Sequence, residues 1–500
     1  MKGEPGMLAI DIGASSGRAV AGSFDGSTLK LREVHRFDNG PVRARGRLYW
    51  DFLGLLREVE AGIGRFMKLA ADEGIVPVTL AIDTWGVDFG LLDASGNLAG
   101  NPLHYRDNHT LDVPEQAFHA MPRSQLYAAT GNCPWHYNTV FQLYALHQQA
   151  PHMLEQADGL LLMPDLFNYF LCGVRAAEYT VATTSGLMSS AREGWSADVL
   201  ARLGLPSRLL SPIVQPGTML GPWQGGMAAG AGSRAGVIQV VATASHDTAA
   251  AITAIPATGT DFLFISCGTW SIVGIERRRP LISADSLRLS YTNEGGLHGT
   301  TRTVKNIMGM WLLQECRRVW RLEGQEWTYS EMMLSAEQSP LSSSYIDPDD
   351  SVFLAPVHMP QEIRDYCRRT GQRVPATDGE LLRCIVDSLA LKYRQSMDEL
   401  AALSGLRPTA IYIVGGGVHN TLLCQLTANA ADLPVLAGPV EGTAIGNLMV
   451  QAMARGEVAS QSEIREVVAR SFSPTLYEPQ DRADWAQAYG EYNDFLAHHL

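Results

Sequence analysis

No Cys-x-x-Cys pair occurs in these 500 residues, and the seven cysteines (133, 172, 267, 316, 367, 384 and 424) form no Cys/His group with zinc spacing. An odd, scattered set of thiols reads as reduced and mostly buried, which points to a cytoplasmic protein. No run of about eighteen uninterrupted apolar residues exists, so no membrane span is expected. Residues 1–6 show no apolar stretch behind a basic head, so no signal peptide is expected either. Positive charge is also short. Lys and Arg number 39 against 52 Asp and Glu, a formal net charge of -13. Such a surface repels nucleic acid and anionic lipid. An acidic protein that binds a nucleotide must do so locally, through backbone amides, a few placed cations and a metal ion.

Apolar material is ample, at 46% of the residues, with 18% charged. A chain of this length exceeds what one core usually supports, so two domains are expected. Strand patterns cover 7–12, 18–24, 29–37 and 78–82, and a helical pattern covers 52–71. Helical stretches dominate 124–171. A second block opens near 236, with strands at 237–242, 262–266 and 410–414 and helices at 380–403 and 421–431. This mixture indicates layered α/β domains. The Pro- and Gly-rich stretch 206–236 is the linker candidate.

One internal similarity stands out. Leu8-Ala9-Ile10-Asp11-Ile12-Gly13-Ala14-Ser15-Ser16 aligns with Leu263-Phe264-Ile265-Ser266-Cys267-Gly268-Thr269-Trp270-Ser271. Each is an apolar strand, a glycine at the same place and small hydroxyl residues, followed by a second apolar strand. One hairpin design is used twice, with an acid, Asp11, in the first copy and neutral Ser266 in the second. A metal–nucleotide site needs that asymmetry, because a second carboxylate would repel the phosphates.

Four segments carry candidate chemistry. In Asp11 to Arg18, Gly13 and Gly17 permit close backbone approach to an anion, and Ser15, Ser16 and Arg18 add donors; a plain tight hairpin is the alternative. Gly415-Gly416-Gly417 ends a strand and precedes a helix, which suits a phosphate, although a flexible turn reads the same way. No Gly-Lys-Ser/Thr follows, and Gly-x-Gly-x-x-Gly is absent there, so it is neither a Walker loop nor a dinucleotide fingerprint. Ser245-His246-Asp247-Thr248 offers a general base for a hydroxyl at Asp247, unless Asp247 only caps the following helix. Asp83-Thr84-Trp85-Gly86-Val87-Asp88 offers a ring for a sugar face and a glycine for close approach, or else a loop with surface acids.

Together, Asp11 to Arg18, Gly268-Thr269-Trp270-Ser271 and Gly415-Gly416-Gly417 resemble the FGGY carbohydrate kinases. Further matching segments run nearly end to end: Ile82 to Phe89, Tyr105-Arg106-Asp107, Leu162-Met163-Pro164-Asp165, Ser245 to Ala249, Thr292-Asn293-Glu294-Gly295-Gly296 and Lys305-Asn306-Ile307-Met308-Gly309. The resemblance implies two actin-like (ribonuclease H-like) lobes with a catalytic cleft between them. The N-terminal, sugar-side lobe would span 1–244, joined by a C-terminal helix at 480–500; the nucleotide-side lobe would span 245–479. It implies transfer of the ATP γ-phosphate to a ketose, foremost O1 of L-rhamnulose in L-rhamnose catabolism, with L-fuculose, L-ribulose and xylulose as alternatives. It assigns Ala14, Ser15, Ser16, Gly17, Arg18, Thr269, Gln314 and Gly416 to ATP. It assigns Gly86, His246, Asp247, Thr248 and Asn306 to the sugar, with Asp247 as proton acceptor, and Asp11 to magnesium through water. Two positions depart from the family pattern: His109, where Arg is usual, and Cys267, where Ser is usual. The implied partners are the ketose and MgATP, with the protein a monomer or homodimer. A rival class is an actin-like ATPase switch, which would keep both hairpins but need no sugar site. His246-Asp247-Thr248 and the 83–89 segment argue against it.

Overall fold

A computed structural model describes residues 4–225 and 237–499. In chain order its main elements begin with β1 (Pro5–Ile12), β2 (Ser16–Phe24), β3 (Leu29–Asp38), α1 (Phe52–Glu73) and β4 (Val76–Thr84). Then come α2 (Tyr179–Ala182), β5 (Thr218–Pro222), β6 (Gln239–Ala242), α3 (Asp247–Thr253), β7 (Phe262–Cys267) and β8 (Trp270–Arg277). The chain closes with α4 (Trp311–Leu322), α5 (Asp378–Ser404), β9 (Ala410–Val414), α6 (Thr421–Ala431), β10 (Val435–Ala437), α7 (Gly442–Ala454), β11 (Thr475–Tyr477) and α8 (Arg482–His499).

Two compact units interleave along the chain. Unit 1 holds 1–258, 276–303 and 442–471, and unit 2 holds 259–275, 304–441 and 472–500. Unit 1 is built on a sheet in the order β5-β6-β4-β1-β2-β3. β1 is its central strand, antiparallel to β2 and parallel to β4. Met7, Leu8, Ala9, Ile10 and Ile12 are all buried, the continuous apolar run of a strand covered on both faces. α1 covers one face. Its Asp51 cap accepts from Gly54 N, Gly74 ends it at φ 71, and Phe52, Leu55, Val59, Ile63 and Phe66 form its buried stripe. α7 lies against β1 and β4, where Gln451 Nε2 donates to the Leu8 carbonyl and Thr79 Oγ1 donates to Gln451 Oε1.

In unit 2, β7 repeats the part of β1. It is antiparallel to β8 and parallel to β9, and β10 and β11 continue the sheet. The duplicated hairpin read from sequence is therefore a duplicated topology. The asymmetry also holds in register: Asp11 sits opposite Asp83 in unit 1, and Ser266 sits opposite Val414 in unit 2.

Three sequence expectations differ from this architecture. The division at 244 and 245 does not match the units, because α3 and α7 pack on each other within unit 1 so closely that a Cβ on Gly446 would lie 1.9 Å from the Ala250 carbonyl oxygen. The terminal helix α8 belongs to unit 2, where Tyr492 meets Tyr345 edge to face and Tyr489 donates to Asp398. The stretch 206–236 is not simply a linker, since β5 is an edge strand of the unit 1 sheet; residues 226–236 lie outside the described residues. A short strand, Gly159–Leu162, also interrupts the helical region and pairs with Phe89–Leu92. Its run of leucines reads equally as buried helix. Among the described residues, no helix is long and apolar enough to cross a membrane.

Candidate active site

β1, β4 and α3 bring a carboxylate cluster together in unit 1. Asp83 ends β4 and is fully buried; its Oδ2 accepts from Asn447 Nδ2 of α7 at 2.6 Å, while Oδ1 has no partner. Burial pushes its carboxyl well above the usual range, and the negative charges of Asp11 and Asp247 push it further. Asp83 thus stands beside two residues that the motifs single out, Asp11 and Asp247. Asp11 takes both the Nε and Nη2 of Arg18 on its Oδ2, at 3.0 and 2.8 Å. The residues expected at magnesium and at ATP therefore form one ion pair across the β1–β2 hairpin. The turn is closed by Gly13 N donating to the Ser16 carbonyl and braced by Asn39 Nδ2 on the Gly13 carbonyl; Ser15 is exposed at its tip. Gly17 is required by packing, since a Cβ there would lie 2.2 Å from the Phe37 ring.

Asp247 is the first residue of α3, and His246 occupies the cap position without a side-chain cap bond. Asp247 therefore does not cap the helix. Its Oδ1 accepts from Thr248 N and Thr248 Oγ1, and the side chain is about a third exposed. His246 joins it to a buried ion pair. His246 Nε2 lies 3.5 Å from Asp247 Oδ1, and Nδ1 lies 3.3 Å from Glu294 Oε2 and 3.0 Å from Arg302 Nη2. Arg302 is wholly buried and pairs with Glu294 at 3.1 Å. Burial pushes the Glu294 carboxyl up, but His246 and Arg302 outweigh it and hold the group down at about 2. Glu294 belongs to the quoted Thr292–Gly296 segment, which carried no assigned role; Arg302 and Asn447 had no signal in the motifs.

The 83–89 segment is not a loop with surface acids. Asp88 is fully buried and accepts from Trp50 Nε1 at 2.6 Å, Trp85 Nε1 at 3.0 Å, Tyr105 N at 3.2 Å and Gln142 Nε2 at 2.8 Å. Burial pushes it up to about 7 against these bonds. Trp85 is not an open platform for a sugar face, because its ring lies 3.9 Å from that of Trp50 and its indole N–H is spent on Asp88. Gly86 leaves room for Thr184, whose Oγ1 would be 2.8 Å from an added Cβ. The next residue, Val87, is held at φ 68, a strained conformation for a β-branched side chain. Thr184 Oγ1 accepts its N–H, and Thr139 Oγ1 donates to its carbonyl. His109 donates through Nδ1 to Asp107 Oδ1, and Arg47 also donates to that oxygen at 3.0 Å.

In unit 2, the β7–β8 turn docks on the start of α4. The Gly268 carbonyl accepts from Met310 N, and the Thr269 carbonyl accepts from Gly309 N and Trp311 N. Thr269 Oγ1 donates to Gln314 Oε1 at 3.3 Å, so two expected ATP residues touch. The three glycines at the end of β9 differ in surroundings. A Cβ on Gly417 would lie 2.2 Å from Cys267 Sγ, whereas Gly416 is exposed with nothing within 4 Å. Cys267 is buried against Gly417 and its Sγ lies 3.6 Å from Ser271 Oγ. Asn306 sits on the strand Thr301–Met308 in unit 2, apart in the chain's division from Gly86, His246, Asp247 and Thr248 of unit 1.

The fold is that of two-lobed actin-like sugar kinases. A xylulose kinase from Lactobacillus acidophilus superimposes with a TM-score of 0.81 over 99% of this chain and 98% of its own, at 16% identity. A glycerol kinase from Plasmodium falciparum, solved with ADP, gives 0.81 over 100% and 99% at 13% identity. Residues 6–254 match the N-terminal domain, and residues 263–455 the C-terminal domain, of the FGGY family of carbohydrate kinases. The chain belongs to that family. A rhamnulokinase from Bacteroides thetaiotaomicron is 42% identical over 96% of this chain and 97% of its own. One from Pectobacterium carotovorum is 41% identical over 96% and 94%.

Proposed function

We propose that this protein transfers the γ-phosphoryl group of ATP to O1 of L-rhamnulose, giving L-rhamnulose 1-phosphate and ADP. The observation that carries the reading is identity above 40% to rhamnulokinases along 96% of the chain. The built cluster around Asp247 supports it chemically. Unit 1 carries the acceptor-side residues Gly86, His246, Asp247 and Thr248 and, for the nucleotide, Ala14 to Arg18. Unit 2 carries Thr269, Gln314 and Gly416 for the nucleotide and Asn306 for the sugar.

Asp247 takes the O1 proton on its carboxylate as the O1–phosphorus bond forms, and the bond from the γ-phosphorus to the β–γ bridging oxygen breaks to release ADP. His246, tied to Glu294 and Arg302, keeps a fixed ring beside that carboxylate and offers a hydrogen bond to a sugar hydroxyl. Asp11 is a hard oxygen ligand of the kind magnesium takes. Asp11 would hold the ion through water, and the bound ion would neutralise charge on the ATP phosphates.

A panel of L-rhamnulose, L-fuculose, L-ribulose and xylulose, ranked by kcat/KM in a coupled ADP-release assay, tests the substrate. L-Rhamnulose is expected to rank first; a higher kcat/KM for another ketose overturns the assignment.

A further inference from the structure

The corner Ser245–His246–Asp247 is clamped from two sides. On one side, Thr84 N at the end of β4 donates to the Ser245 carbonyl at 2.9 Å. On the other stands Glu178, a fully buried acid just before α2. Its carboxylate accepts four hydrogen bonds: Thr180 N at 2.9 Å, Thr180 Oγ1 at 2.6 Å, Val181 N at 3.1 Å and Ser245 N at 3.1 Å. Thr180 Oγ1 has given its proton to Glu178, so it can only accept, and it does so from His246 N at 3.1 Å. Both amides that precede Asp247 therefore end on the Glu178–Thr180 pair.

We propose that Glu178 is a positioning residue for phosphoryl transfer: its ionised carboxylate, acting with Thr180, fixes the backbone corner from which Asp247 reaches the sugar hydroxyl. This rests on the reading of Asp247 as the base. Three of the donors converge on Oε2 and Thr180 N alone reaches Oε1, so the carboxylate acts only as an acceptor here. An amidated side chain puts N–H where one oxygen stood, so at least Thr180 N loses its acceptor, and protonation removes the charge that strengthens the bonds.

Burial raises the Glu178 carboxyl to about 7, so its occupancy changes near neutral pH. The groups around it are Asp165, whose Oδ1 accepts from Glu178 N at 3.0 Å, the Tyr179 hydroxyl, Arg302, His246 and Asp247. Asp165 is itself raised well above the usual range, by burial and then by the Glu178 charge. Arg302 carries the opposite charge and favours the ionised state of Glu178. As pH falls through about 7, Glu178 takes up a proton and the clamp loosens. Loosening of the clamp is then expected to appear as an acid limb of kcat near neutrality.

The test compares wild type, Glu178→Gln, Thr180→Val and Asp247→Ala, with kcat and both KM values followed across pH. Glu178→Gln is expected to lower kcat roughly tenfold to a hundredfold, as misplacement by about an ångström does. Its ATP KM should stay within about twofold, and its kcat should no longer fall between about pH 8 and 6. Thr180→Val keeps the Glu178 carboxylate and removes only the acceptor for His246 N. It should lower kcat while retaining the acid limb, and it carries the test if Glu178→Gln does not fold. A folded Glu178→Gln with wild-type kcat, or one that keeps the wild-type acid limb, overturns the proposal. Turnover that survives in Asp247→Ala overturns the base reading instead; an inactive Asp247→Ala beside an unaffected Glu178→Gln overturns the positioning role alone.

Discussion

At the scale of residues, burial and neighbouring charges push carboxyl groups of the candidate site in opposite directions. Burial and the charges of Asp11 and Asp247 push the Asp83 carboxyl well up, while His246 and Arg302 hold Glu294 down at about 2. Removing one member of the buried Glu294–Arg302 pair leaves a buried charge uncompensated. Glu294→Gln is expected to lower unfolding stability by about 3 kcal/mol in urea titration. It should raise the ketose KM, through a misoriented His246, with the ATP KM little changed. Asp11, Gly86 and Asp247 were legible in the sequence because each stands beside glycines or hydroxyl residues in a short motif. Glu178, Arg302 and Asn447 were not. They act through contacts made across long stretches of chain, and no local pattern marks a residue whose partner is a distant amide or carboxylate.

At the scale of elements, close approach decides which glycines matter. α3 carries Asp247, and α7 packs against it at Gly446, where an added methyl would meet the Ala250 backbone carbonyl. Backbone cannot step aside as a side chain can. Gly446→Ala is expected to destabilise by about 1–3 kcal/mol and to depress kcat together with thermal midpoint, because α3 must shift. The three glycines after β9 give a contrast within one turn. Gly417→Ala collides with Cys267 and should lower the thermal midpoint. Gly416→Ala meets open space, so the protein should fold with an unchanged midpoint while its ATP KM rises. A Gly416→Ala variant with wild-type ATP KM would remove that residue from the nucleotide site. The strands and long helices were readable because their apolar spacing is strong, as in β1 and α1. The Gly159–Leu162 strand was not, because four buried residues in a row carry no period that separates strand from helix.

At the scale of the whole molecule, the two units share one topology but exchange segments, and the sequence hid the exchange. Composition changes little where the chain crosses from one core to the other, at 258–259, 275–276, 303–304, 441–442 and 471–472, so a single boundary was the natural reading. Charge burial also gives stability a particular pH course. Asp88 and Glu178 are both raised to about 7 by burial, so each prefers the protonated form when folded. The unfolded chain releases those protons from about pH 4 upward, so this part of the stability is present in acid and is lost as pH rises to about 7. Glu294, held down at about 2, works in the opposite sense: its contribution is present above about pH 4.5 and is lost as pH falls toward 2. Urea midpoints of wild type and Asp88→Asn, compared from about pH 5 to 8, should therefore converge or diverge with pH instead of running parallel, the wild type losing ground as pH rises. Parallel curves would remove Asp88 from that account.

The role proposed for Asp247 is to take the proton of a ketose O1 as that oxygen bonds to the γ-phosphorus of ATP. Phosphorus NMR of a mixture of the protein, MgATP and L-rhamnulose reads it directly. The expected spectrum shows ADP and one phosphomonoester split by the two C1 protons of the sugar, with Asp247→Ala forming less than about a hundredth as much ester in the same time. Inorganic phosphate as the sole product, an ester on another carbon, or undiminished ester from Asp247→Ala would contradict it.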